Sequence, residues 1–418
     1  MAQAEPGSVG KSHESKPHQR VGLDGVVSFG GRIYPTDEVS AGKSRRASPY
    51  VPSVLPLQDG QLLLVSGEWR GGSFKGVPDG GTYGITSPDA GETWSDPFPL
   101  KIKGGGYVKG GHCSLLRLQS GAVGLINFDS FYRSEDEGKT WIGPVAIGPR
   151  KWGDHVRNDC AVVLKSGRIL APAYMYPPRA NAPGKENAEL NFGIARYSDD
   201  EGRTWGESKT VLAVPLDGGR KGLYMWDEWS VVELEGGHLL GMARTEMNRL
   251  YQCVSKDQGE TWEDVEPTEL ASGDSPCLVR CIPTTGDLLV IWNQTSAQEY
   301  QRYLTRHRLS CAISRDQGKT WDNFKNLESL DDVTRIELSQ IRPYRAEPQL
   351  FPEAALGYHQ PEDRKRYHKA PGALRVASPT CTFLDDKVVI TCGYGCIDDP
   401  VGDVACKIRV IPVEWFYE

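Results

Sequence analysis

SKDQGETW, residues Ser255 to Trp262, is one of five octapeptides of the form Ser-x-Asp-x-Gly-x-Thr-Trp in this chain. The others are SPDAGETW (Ser87 to Trp94), SEDEGKTW (Ser134 to Trp141), SDDEGRTW (Ser198 to Trp205) and SRDQGKTW (Ser314 to Trp321). Five copies of one pattern mark an internal repeat, and the repeat decides the architecture. The residue types suit a tight turn between strands: Ser and Asp cap backbone amides, Gly takes a positive φ, Thr bonds locally and Trp packs beneath. The turn itself needs every residue in the pattern, so these octapeptides, Asp boxes, mark repeats and carry no chemistry.

A second pattern, offset from the first, is an apolar strand, a turn and another apolar strand, and it recurs six times. The copies begin at Tyr50, His112, Arg157, Glu228, Ser275 and Ser378. Six hairpins at an irregular period of about 45 to 70 residues predict an all-β six-bladed β-propeller with five Asp boxes, the sixth blade lacking one. The chain divides into a flexible segment over residues 1–20 and one propeller over 21–418. A strand near Gly25 to Tyr34 is expected to close the ring with the C-terminal KIRVIPVEWFYE, because closure removes exposed sheet edges. The gap from Ser275 to Ser378 is longer than the others and predicts an insertion at about 331–371, where most of the helix is expected.

Composition agrees with this reading and narrows the function. The 418 residues are 39% hydrophobic and 25% charged, within the globular range, and 47 Gly, 28 Pro and 11 Trp fit many turns between short strands. A net charge of −7 gives no basic surface for nucleic acid, so an acidic ligand must be held by a local cluster of bases. The polar start MAQAEPGSVGKSHESKPHQR has no apolar run of the kind a signal peptide needs, and no membrane span is expected. Cys113, Cys160, Cys253, Cys277, Cys311 and Cys381 fall in apolar strand runs, which suits buried thiols in a reducing compartment. The expected location is therefore cytoplasmic, with a mature secreted or periplasmic form as the alternative. Asn293-Gln-Thr295 fits a glycosylation sequon, expected to be silent at a strand end.

In a propeller the inner strands start at one end of the channel, so equivalent positions converge there. The starts are Tyr50, His112, Arg157, Glu228, Ser275 and Ser378, and the ends of the second strands are Arg70, Asp129, Tyr174, Arg244, Asn293 and Tyr394. So many ionisable and aromatic groups would be costly in a core, and a polar pocket accounts for them.

On the residues Glu228-Trp-Ser-Val-Val-Glu-Leu-Glu-Gly-Gly-His-Leu-Leu-Gly-Met-Ala-Arg244, with the Asp boxes, the chain from about Tyr50 onward resembles the sialidase (exo-α-neuraminidase) superfamily, in the broad group of BNR-repeat proteins. The resemblance implies that Glu228 polarises a catalytic Tyr and that Arg244 is one of three arginines holding a substrate carboxylate. It implies a further such arginine at Arg306, with Arg308 as the alternative, and an acid/base Asp at Asp79, before the first box. Two positions depart from the family. Tyr50, in Pro49-Tyr50-Val51-Pro52, stands where the family has its first carboxylate-binding Arg, and Ser378 stands where it has its nucleophilic Tyr. Tyr367 and Tyr394 are the tyrosines that could approach that point.

The function expected is a sialidase-like glycoside hydrolase removing a terminal acidic sugar, sialic acid or a relative, from glycans. Asp79 and Glu228 are the catalytic candidates. Arg70, Arg157, Arg244, Arg306, Tyr50, His112, Asp159 and Tyr394 are the substrate-binding candidates. No metal or cofactor is called for, and the partner expected is a glycan or acidic sugar, not nucleic acid or membrane. The alternatives are a uronate lyase on the same fold and a carbohydrate-binding propeller without catalysis.

Overall fold

The computed structural model describes residues 50–67, 80–148, 155–175, 190–215, 224–301, 304–329, 333–341, 374–396 and 405–418. They form six sheets, antiparallel in their main strands with one short parallel pairing at the edge of blade 2 and one in blade 3, arranged as a six-bladed β-propeller. Blade 4 gives the pattern: inner strand Trp229–Glu233, then Leu239–Ala243, Arg249–Ser255 and outer strand Glu263–Ala271. Blade 1 starts at Tyr50–Pro56, blade 2 at Cys113–Arg117, blade 5 at Leu278–Cys281 and blade 6 at Leu374–Phe383. Blade 3 starts with two short pieces, His155–Val156 and Val162–Val163, both paired with Ile169–Met175. Inner strands pack side by side around the channel, and blade 1 meets blade 6, where Thr382 Oγ1 donates to the Val54 carbonyl at 2.7 Å. The segment 1–20 and the expected closing strand Gly25 to Tyr34 lie outside the described residues.

The strands alternate in direction, so the ends of a blade are chemically distinct. In blade 4, Trp229, Ala243 and Tyr251 align at one end, and Glu233, Leu239 and Ser255 at the other. The octapeptide beginning at Ser255 therefore sits at the end away from Glu228 and Arg244.

All five octapeptides form the same turn. Ser Oγ donates to Asp Oδ1 at 2.8–2.9 Å and accepts the Gly N–H at 2.8 Å, while Asp accepts the Thr N–H at 2.8 Å. Two successive residues take positive φ, such as Gln258 at 58° and Gly259 at 90°, so the residue before Gly shares the left-handed turn. Each box Trp enters the apolar cluster between its own blade and the preceding one: Trp94, Trp141, Trp205, Trp262 and Trp321 fill five of the six seams. The seam between blades 5 and 6 has no box. Trp415 and Phe416, on the C-terminal 3-10 turn Val413–Phe416, are buried there instead, and the Tyr417 hydroxyl donates to Asp287 Oδ2 at 2.8 Å.

The expectation that helix gathers in the insertion falls mostly on residues 342–371, outside the described residues. Among the described residues the α-helix is Ala297–Gln301, in the connection between the second and third strands of blade 5, and the insertion contributes the 3-10 turn Leu338–Gln340. That first part of the insertion is docked on blade 5, with the Ile336 N–H donating to Gln294 Oε1 at 2.7 Å. Residues 342–373 lie outside the description. No described helix is long and apolar enough to cross a membrane. The described cysteines are free, and burial raises the thiols of Cys160, Cys277, Cys311 and Cys381 to about 12.

Candidate active site at the channel mouth

Glu228 and Arg244 are neighbours because they flank one hairpin. The Arg244 N–H donates to the Glu228 carbonyl at 3.3 Å and the Asp227 N–H to the Arg244 carbonyl at 3.2 Å, extending the ladder one step past the strands. Their side chains meet above it, where Arg244 Nη1 donates to Glu228 Oε2 at 2.5 Å. Asp227 lies 3.6 Å from the same Nη1, and Arg244 Nε donates to Asp274 Oδ1. One guanidinium thus faces three carboxylates, two from blade 4 and one from the start of blade 5.

Two more arginines complete the cluster. Arg157 of blade 3 places Nη1 3.9 Å from Glu228 Oε1, and its guanidinium lies 5.3 Å from the centre of the Tyr174 ring. Arg306 donates through Nε and Nη2 to the Asp274 carbonyl oxygen at 3.1 and 3.0 Å. The loop carrying Arg306 passes so close to Gly273 that a Cβ there would stand 2.0 Å from the Thr305 carbonyl oxygen, so glycine is required. Arg308, the alternative, is turned away: it is buried and bonded to Glu299 Oε1 at 2.8 Å and Oε2 at 3.2 Å.

The environment pushes the adjacent acids in opposite directions. Burial raises both carboxyls, but Arg244, Arg157, Arg306 and His112 together outweigh it at Glu228, which is held below its ordinary range. At Asp227 burial wins over Arg244, with the Glu228 charge adding to it, and the carboxyl rises. Arg244 is itself held well above its ordinary value, since Asp274, Asp227 and Glu228 more than offset its burial. Glu228 is therefore the anion of the pair.

His112 is buried against this cluster. Its ring meets Phe128 edge-on at 5.0 Å, and the Asn158 N–H donates to Nδ1 at 3.4 Å. The Asp159 carboxyl lies one layer further into the channel, where Ser53 Oγ donates to Oδ1 at 2.8 Å. Ser378 is buried at a break in strand register, with φ 55°. Val51, His112 and Asn158 also take positive φ, at 49°, 57° and 61°, so strained non-glycine backbone lies in or beside the inner strand of four of the six blades. Of Tyr50 and Tyr394 the strand positions alone are described, Tyr50 opposite Gly67 and Tyr394 opposite Val376. Arg70, Asp79 and Tyr367 lie outside the described residues. Asn293 is not available for glycosylation in the fold, because its buried Nδ2 donates to the Arg308 and Val376 carbonyls at 2.7 and 2.8 Å.

The sequence reading did not single out Asp227, Asp274, Asn191 or Arg280. Asn191 Nδ2 donates to Asp227 Oδ2 at 3.1 Å and Glu228 N–H to Asp227 Oδ1 at 2.8 Å, so Asp227 is fixed on both oxygens. The adjacency of Asp227 to Glu228, and of Asp274 to Ser275, was the available signal.

A family model described as a BNR repeat-like domain matches residues 126–359. An anhydrosialidase of Macrobdella decora is 30% identical over 151 residues, which is 34% of this chain and 17% of that relative's length. The chain therefore spans about a sixth of that protein. Among solved structures, the Hadza microbial sialidase Hz136 superposes with a TM-score of 0.59 at 14% identity, covering 92% of this chain and 69% of the other. A leech intramolecular trans-sialidase complexed with 2,7-anhydro-Neu5Ac gives 0.55 at 14% identity, covering 94% and 71%. At this identity the likeness is one of fold.

Proposed function

The chain belongs to the BNR repeat-like domain family, and on its sialidase-like propeller we propose that it is a glycoside hydrolase acting on a terminal acidic sugar. The observation that supports this best is the convergence of Arg157 and Arg244 on one buried, anionic Glu228, with Arg306 held beside them on the Asp274 carbonyl, at the end of the channel away from the box turns. A guanidinium presents a planar fork that fits a carboxylate, and three of them around one site suit a sugar acid. Glu228, held ionised, is suited to accept a proton or to attack the anomeric carbon, and not to donate a proton. The leaving-group proton then comes from a second acid, the role assigned to Asp79. Tyr50 and Ser378 occupy the places of the family's first Arg and its Tyr nucleophile, so the substrate and the attacking group need not be those of a sialidase.

The same two departures favour, as a second reading, a propeller that binds acidic sugars without turning them over. One panel separates these readings: aryl glycosides of sialic acid and of uronic acids, assayed for release of the aryl alcohol, a 4-O-linked uronoside disaccharide, whose C4 substituent a β-elimination can expel, assayed for an unsaturated product, and, in parallel, binding by calorimetry. Release of free sugar supports the hydrolase, an unsaturated product assigns the lyase variant, and binding without release assigns the binding module.

A further inference from the structure

Below the site, five of the six inner strands are tied across the channel. Arg280, on the strand Leu278–Cys281 of blade 5, sends Nη2 across to the Asp159 carbonyl oxygen of blade 3, while Nη1 donates to Ser230 Oγ of blade 4 at 3.1 Å and to the Val279 carbonyl at 3.0 Å. The Asp159 carboxyl accepts from Ser53 Oγ of blade 1 at 2.8 Å, and Ser53 Oγ accepts the Leu115 N–H of blade 2 at 2.8 Å. On blades 1, 2 and 4 the inner strands carry small buried serines, Ser53, Ser114 and Ser230, and Arg280 is the long side chain that reaches Ser230 and the Asp159 carbonyl.

The segment tied down is the one that presents Arg157. Asn158 holds φ at 61°, its N–H donates to His112 Nδ1 at 3.4 Å and its carbonyl accepts from Ser114 Oγ at 3.0 Å. Non-glycine backbone in that region persists only where the surroundings over-determine it. His112 and Ser114 hold it from blade 2, and Arg280 holds the next carbonyl from the opposite side. Asp159 is buried, and its carboxyl, raised by burial to about 6, has Arg280 as the cation that opposes the rise.

We propose that Arg280 is a positioning residue that closes the channel beneath the site and fixes the 157–159 segment so that Arg157 faces Glu228. The reading of Arg157 as a contact to an acidic sugar is the one given above, and this inference rests on it for its kinetic consequence alone. A lysine keeps the charge but, as a single point donor, does not reproduce the fork that reaches Asp159 on one side and Ser230 and Val279 on the other.

The test uses the full chain with Arg280→Met and Arg280→Lys, read by amide hydrogen exchange and by kinetics on an acidic aryl glycoside. For Arg280→Met, exchange in peptides covering residues 156–161 should speed up by about tenfold or more, with the box turns unchanged. KM should rise about tenfold with kcat within about threefold, and Arg280→Lys should fall between it and the wild type. Should Arg280→Met not fold, Ser53→Ala removes one tie of the same network, and its exchange in 156–161 is expected to rise in the same way. Unchanged exchange there, or a fall in kcat at constant KM, overturns the positioning role. Absence of turnover of any acidic glycoside by the wild type sinks the hydrolase reading, while the exchange result still decides whether Arg280 positions the segment.

Discussion

Replacing Glu228 by Gln separates a catalytic group from half of a structural ion pair. The side chain is 7% exposed and bonded to Arg244 at 2.5 Å. Two unit charges about 4 Å apart attract by about 4 kcal/mol at an effective dielectric near 20, and breaking a buried pair commonly costs about 3–5 kcal/mol when a charge is left uncompensated. Here it is not left so. Arg244 keeps Asp274, and Asp227 stands 3.6 Å away with its carboxyl raised in part by the Glu228 charge. Removing that charge lowers the Asp227 carboxyl, so Asp227 ionises more fully and takes over the guanidinium. We therefore expect a loss of about 1–2 kcal/mol, a fall of a few degrees in Tm for a fold of this size. Turnover of an acidic aryl glycoside should fall by roughly 10²–10⁴. Thermal unfolding and initial rates on one preparation give both numbers. Retained turnover removes Glu228 from the chemistry, and a loss above about 4 kcal/mol shows that its main role is to hold Arg244.

Other outcomes follow from single contacts. Asp257→Ala removes the acceptor of the Thr261 N–H at the far end of blade 4 and should cost about 1–2 kcal/mol in urea unfolding without changing KM. Trp415→Ala opens the box-free seam between blades 5 and 6 and should cost about 3–5 kcal/mol by the same measurement; no loss would show that the C-terminal turn does not close that seam. The Asp159 carboxyl is raised by burial from 3.8 to about 6, so its contribution to stability is present below 3.8 and lost as pH rises through 6. The Tm of Asp159→Asn minus that of the wild type should accordingly grow between pH 4 and pH 7, and a flat difference refutes the shift. Binding of an acidic sugar near pH 6 should take up a proton, read by calorimetry in two buffers of different ionisation heat, and Asp227→Asn should abolish the uptake.

The repeats made most of the fold legible. The boxes Ser87 to Trp94 through Ser314 to Trp321 record a local need, a turn whose Trp fills the seam to the preceding blade, and local needs leave local patterns. The seam without a box is filled by Trp415 and Phe416, which meet the same demand for a large aromatic group from a different backbone and match no motif. The rule that strand starts converge located Arg157, Glu228 and His112, because it depends only on topology. It missed Asp274 by one position, since blade 5 begins its strand at Leu278 and the residue at the mouth lies before Ser275. Arg280 had no signature in its own strand: its partners Asp159 and Ser230 lie 121 and 50 residues away, and reach across the axis is a property of the closed ring.

On the function proposed above, the charge balance of the described residues gives Asp227 a part in the choice of substrate. Among the described residues Arg157, Arg244 and Arg306 face Asp227, Glu228 and Asp274, so with all three acids ionised these six charges cancel and add little net attraction for a sugar carboxylate. Protonating one acid frees one positive charge. Asp227 is the acid best placed to take that proton, because burial and the Glu228 charge already raise its carboxyl while Glu228 is held down by the surrounding guanidinium groups. A further anion placed beside Arg244 raises Asp227 again, so anion and proton enter together. On the function proposed above, the site would thereby favour a monoanionic sugar without a surplus arginine among its described residues, while Glu228 stays ionised.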